Sequence, residues 1–185
     1  VWEESLKPDL INDLDLSTMP HGLVREEDGT FVFKQMEWES RTIGDIESNP
    51  EPTFIGKPIN DVFFFRGRLG VLSGENVILS RSNNVFHFWN STVTDVVDTD
   101  PIDISANHAE RVCTLTHAVP FAEALVLFAD RAQFILASEA TLTPLTARVV
   151  AATDFAFNPY AAPTGAGRNI YFASERLQYA SVKEF

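Results

Sequence analysis

Apolar residues fall along this chain in short runs separated by tight polar turns. Phe31-Val32-Phe33 runs on towards Met36 and Trp38 after a turn at Asp28-Gly29, a hairpin signal followed by a strand. Val62-Phe63-Phe64-Phe65 is a continuous apolar run too short for a helix, and it reads as a strand buried on both faces. The series continues through 69–72, the Gly74-Glu75-Asn76 turn, 77–79, 125–128, 134–136, 147–151, 170–172 and 177–182. Short runs at close spacing with turn signals between them predict an all-β, mainly antiparallel fold. One short helix is expected at 105–119. Asn107 and Glu110 resemble a capping box there, Ala109, Val112 and Thr116 share a face, and Pro120 supplies the stop.

A loose repeat emerges when the runs are aligned. Phe65-Arg66-Gly67-Arg68-Leu69-Gly70-Val71 can be set against Phe128-Ala129-Asp130-Arg131-Ala132-Gln133-Phe134 and against Phe172-Ala173-Ser174-Glu175-Arg176-Leu177-Gln178-Tyr179. Each is an apolar strand ending in Phe, a polar turn, then Arg opening a returning strand. The Arg131 to Arg176 interval has the size of one propeller blade, and the longer Arg68 to Arg131 interval suits a blade enlarged by an insertion. The expectation is therefore a partial or small β-propeller. Only about four such blades fit in 185 residues, and open sheet edges would need more chain or a neighbour.

Charge divides the chain further. The formal net charge is −12. Residues 1–60 hold 13 acids against 5 bases, and residues 95–110 hold 5 acids and no base, whereas 111–185 are balanced at 6 and 6. Residues 1–60 read as an acidic connector carrying one hairpin, with Pro50, Pro52 and Pro58 making 44–60 extended and exposed. Residues 61–185 read as the hairpin repeats, interrupted by an acidic insertion at 95–110. Such a surface repels nucleic-acid phosphate and anionic lipid, which argues against a non-specific DNA or membrane binder. No run reaches the length of a membrane span; the longest, at 118–129, is broken by Pro120 and Glu123. The start, Val1-Trp2-Glu3-Glu4, has neither Met nor a signal-peptide pattern, as expected of a piece cut from a longer chain.

Motifs for chemistry are sparse. A lone Cys113 offers neither a disulfide nor a CxxC pair and reads as a small core side chain. Asp98-Thr99-Asp100-Pro101-Ile102-Asp103 invites a calcium reading but fails the EF-hand test, with Asp103 at the Gly position and Ala109 where Glu is needed. Gly165-Ala166-Gly167 lacks the third glycine and the helix of a dinucleotide loop. The four His show no paired metal spacing, and Ser73 lacks a nucleophile elbow. No catalytic or metal set and no cofactor is assigned. Two contact candidates stand out: the carboxylates Asp95, Asp98, Asp100 and Asp103, and the aromatics Phe86, Phe88 and Trp89, for which core packing is the alternative.

Several ordered blocks carry a family resemblance. Met19-Pro20-His21, Glu37-Trp38-Glu39, Ile59-Asn60-Asp61-Val62-Phe63-Phe64-Phe65-Arg66, Leu72-Ser73-Gly74-Glu75-Asn76, Asp100-Pro101-Ile102-Asp103, Ala118-Val119-Pro120-Phe121 and Gly167-Arg168-Asn169-Ile170-Tyr171-Phe172-Ala173-Ser174 resemble the tail tubular protein B, or nozzle, family of short-tailed bacteriophages. The likeness runs in order over about 19–174, most of the chain, and 4–17 departs from the pattern as an insertion. Family members are much longer than this chain. The resemblance implies a non-enzymatic virion tail component made in the host cytoplasm, a propeller-containing subunit of a homo-oligomeric ring. That ring would form the distal tail tube below an adaptor protein, help anchor tail fibres and let DNA pass during ejection without sequence-specific binding. The Asp residues would then line the channel or dock basic partner surfaces. A second class stays open: a carbohydrate-binding or glycan-degrading propeller domain that recognises host surface glycan, since a carboxylate pair cannot be located from sequence.

Overall fold

A computed structural model describes residues 3–108, 112–121, 123–138, 141–176 and 178–185. It is all-β and antiparallel, with no helix among the described residues. The strands β1 (His21–Arg25) and β2 (Phe31–Gln35) form a hairpin that stands apart from the other sheets. A four-stranded meander follows, β3 (Asp61–Phe65), β4 (Arg68–Ser73), β5 (Asn76–Leu79) and β6 (Ile102–Ser105), each strand paired with the next. A second meander repeats the plan with β7 (Leu115–Phe121), β8 (Ala124–Ala129), β9 (Gln133–Ala137) and β10 (Arg148–Thr153). The last sheet has three strands, β11 (Thr164–Ala166), β12 (Asn169–Arg176) and β13 (Tyr179–Glu184).

Period-two alternation makes these sheets stack. On β4 and β5, Leu72, Val77 and Leu79 face the second meander, where they meet Leu125, Leu127, Phe134 and Leu136 in one buried cluster that also holds Cys113. Their alternates Val71 and Ile78 face the N-terminal segment and pack on Leu14, Met19, Phe54, Phe88 and Trp89. On β8, Val126 and Phe128 turn the other way and meet Ile170 and Phe172 of the last sheet and Phe157 of the segment leading to it. The central strands of both meanders are thus buried on two faces, which is why they read as continuous apolar runs.

Turn chemistry sets the register. Arg66 and Gly67, both at positive φ (48° and 73°), close the β3–β4 hairpin between the paired Phe65 and Arg68. Two left-handed residues in a two-residue loop give the primed turn whose twist matches antiparallel strands. Opposite Gly70 on β4 lies Phe63 of β3, and a Cβ at Gly70 would fall 2.2 Å from the ring. That glycine is required by close approach.

Four expectations change. The helix at 105–119 is not formed: β6 runs to Ser105 and β7 begins at Leu115, while 109–111 lie outside the described residues. Thr116 and Val119 are β-branched, and β7 is an edge strand, so Pro120 needs no ladder partner on its outer side. The run at 62–65 is buried on one face only, with Val62 and Phe64 41% and 59% exposed, because the cluster that covers the other face of β4 and β5 does not extend over β3. Residues 44–60 have no strand, as three prolines dictate, yet they are packed: Asn49, Pro52 and Phe54 are buried. Finally, the aligned arginines are not equivalent, since Arg68 opens β4, Arg131 lies in the β8–β9 loop and Arg176 closes β12. The hairpins recur, but their Arg positions do not.

Candidate contact site

The acidic loop at 91–100 is held from inside. Arg68 is 1% exposed, and its guanidinium donates to the carbonyls of Ser80 and Asp100 at 2.7 Å and of Asp98 at 2.8 Å. Burial pulls its pKa below the usual arginine value, opposed by the nearby Asp100 carboxylate. Asp100, also buried, accepts from the Ser91 amide and hydroxyl and from the Val97 amide. The loop therefore closes on Asp100.

The four sequence-selected carboxylates accordingly separate. Asp100 is internal. Asp103, on β6, accepts from the amide and hydroxyl of Thr53 and from Asn76 Nδ2, tying the proline-rich segment to the first meander. Asp95 and Asp98 lie exposed on the loop, Asp95 accepting from the adjacent Val96 amide. Glu4, in the acidic N-terminal segment, reaches the same loop and accepts from Thr92 at 2.7 Å.

The aromatic candidates lie under the N-terminal segment. Phe88 and Trp89 are 3% and 1% exposed; Phe86 is half-buried. Phe88 meets the Phe54 ring edge-on at 5.3 Å, and Phe86 meets Trp38 at 5.2 Å. Trp89 donates its indole N–H to the Glu39 carbonyl and lies beneath the Arg41 guanidinium, 4.8 Å from the ring centre. Arg41, itself buried, donates to the carbonyls of Ile11 and Asn49 and so pins the segment down. His87 is buried between them, its Nε2 3.5 Å from Glu39, and burial holds its pKa below the ordinary histidine value.

Sequence reasoning missed two exposed features. On the β1–β2 hairpin, Leu23 and Phe33 face each other across the ladder beside Phe31, and the three are 66%, 69% and 63% exposed. His21 stacks on Phe33 at 5.3 Å. The i, i+2 spacing of Phe31 and Phe33 was the available signal, for it puts both rings on one face of a hairpin with no third strand. The second feature is an open trough of about 650 Å³ at the end of the last sheet, lined by Phe155, Tyr179, Asp154, Glu175 and Lys183. The Lys183 ammonium lies over the Phe155 ring at 4.4 Å, and Asp154 contacts His108 at 3.0 Å.

The chain is 44% identical, over all 185 of its residues, to the "Tail tubular protein gp12" of Escherichia phage T7, and spans 23% of that relative's length. A model of the family described as "Bacteriophage nozzle protein" matches residues 1–185. With the whole sequence matched, the chain belongs to the bacteriophage nozzle protein family.

Proposed function

We propose that this chain is part of a structural virion tail protein that acts through interfaces. Copies of the full-length protein close into a ring forming the distal tail tube, which abuts an adaptor protein, carries tail fibres and conducts DNA during ejection. The observation that carries this reading is the family match across residues 1–185. Two consecutive four-stranded meanders, stacked face to face, have the form of propeller blades, and we read β11–β13 as three strands of another. Residues 1–60 then form a connector bearing an exposed hairpin, and the acidic stretch at 95–110 combines a loop inserted before β6 with β6 itself, the last strand of the first blade. Exposed Asp95 and Asp98 repel passing phosphate or meet basic partner surfaces. The test is mass and electron microscopy of the full-length protein, followed by ejection kinetics of particles carrying Asp95→Asn with Asp98→Asn. Rings, and slower ejection or weaker assembly, are expected. A full-length protein that stays monomeric would overturn the reading.

A second reading has one feature in its favour. The trough combines the exposed Tyr179 ring, on which a sugar can stack, with carboxylates and an ammonium that can hydrogen-bond its hydroxyls. Binding on a glycan array, or turnover of capsular polysaccharide, would support a glycan-recognising domain.

A further inference from the structure

The N-terminal segment and the proline-rich segment leave a groove between them. Residues 11–19 form one wall and 51–59 the other, and the cavity measures about 610 Å³. Its floor is the buried trio Leu14, Met19 and Phe54, continuous with the cluster over the first meander. Its lips are aliphatic and open to water: Ile11 is 71% exposed and Ile55 38%. Around it stand three carboxylates, Asp13, Asp15 and Glu51, against a single ammonium, Lys57. Asp15 is fixed as an anion by the Ser17 hydroxyl and amide, at 2.7 and 2.9 Å. Exposed isoleucines at the mouth of an apolar cavity are costly in water and productive when covered. A rim of net negative charge selects the sign of what covers them.

We propose that this groove docks a basic segment of a partner protein, with cationic side chains meeting Asp13, Asp15 and Glu51 and an aliphatic side chain entering between Ile11 and Ile55. The size suits a few side chains of an extended segment, not a folded face. The exposed rim contributes chiefly encounter rate and sign selection, and the buried aliphatic chain contributes residence time. The inference rests on the tail reading only in taking the partner to be another tail protein.

The test uses the full-length protein and labelled synthetic peptides followed by fluorescence anisotropy. A short peptide alternating lysine and leucine binds, and binding falls as salt is raised. One alternating lysine and serine binds at least about tenfold more weakly, and one alternating glutamate and leucine does not bind. Glu51→Lys and Ile55→Ser each weaken capture about tenfold, both being exposed positions where the fold tolerates change. Phe64→Ser, an exposed change outside the groove, leaves it unaltered. Failure of the lysine–leucine peptide to bind at low salt overturns the proposal, as does binding indifferent to both groove variants. A protein that forms rings yet ignores the peptide overturns the groove and spares the tail reading; capture by a protein that forms no ring does the reverse.

Discussion

The guanidinium of Arg68 donates to the main-chain carbonyl of Asp100 at 2.7 Å, while the carboxylate of the same aspartate turns away to hold Ser91 and Val97. Cation and anion are close, but the cation is spent on backbone carbonyls and the anion on two amides and the Ser91 hydroxyl. Arg68→Ala would strand the carbonyls of Ser80, Asp98 and Asp100, at a cost of about 3 kcal/mol or more, and Arg68→Lys would recover little because an ammonium lacks the planar fork. Asp98→Asn should change stability by less than about 0.5 kcal/mol. Urea unfolding of the three variants checks the order. A charge-neutralising experiment that includes Asp100 or Asp103 would therefore mix lost folding with lost contact.

Gly70 is opposed by the ring of Phe63 at a distance no side chain can share. Gly70→Ala is expected to destabilise by about 1–3 kcal/mol through overpacking, and adding Phe63→Leu should restore part of that loss. Thermal unfolding of the single and double variants measures it. A neutral single variant would show that the ring has another place to go.

His87 gives a pH signature with a definite sign. Its pKa in the fold lies below the unfolded value near 6.5, mainly through burial, with Glu39 opposing. The unfolded chain thus binds more protons, so stability is complete above about pH 6.5 and falls as pH drops towards the depressed folded value. His87→Gln should flatten that limb of the profile of unfolding midpoint against pH. The exposed carboxylates Asp15 and Asp28, whose pKa values are lowered by Ser17 and Thr30, act at lower pH and would be left unchanged.

On one face the β1–β2 hairpin offers Leu23, Phe31 and Phe33 to water. Phe31→Ser with Phe33→Ser should leave the unfolding midpoint within a degree or two, since neither ring is buried, while reducing assembly of the full-length protein. Sedimentation and a thermal scan on the same sample separate the two effects. A lowered midpoint with unchanged assembly would mean that the rings serve the fold.

Much of this fold was legible because its physics is local. Phe31-Val32-Phe33 after Asp28-Gly29 and Phe65-Arg66-Gly67-Arg68 announce hairpins through turn chemistry, and both form. The helix expected at 105–119 shows the limit. An apparent cap at Asn107 and a stop at Pro120 are equally compatible with an edge strand, and only pairing of β7 with β8 decides between them. The contact candidates show the same limit. Asp100 and Trp89 carry the residue types of a contact surface, yet their burial depends on Arg68 and Arg41, which are distant from them in sequence. Conversely, the groove joins segments some forty positions apart, and no window of sequence contains it.

Because each meander shares an apolar cluster only with the layers directly before and after it, the molecule is a row in which neighbours are coupled and distant layers are not. Opening such a row should begin at its ends and move inward, as in repeat arrays. Amide protons of β4, β5 and β8, whose alternate residues enter a cluster on each side, should then exchange last, and those of β1 and β2 first. A molecule built this way yields at its margins while its middle layers keep their shape.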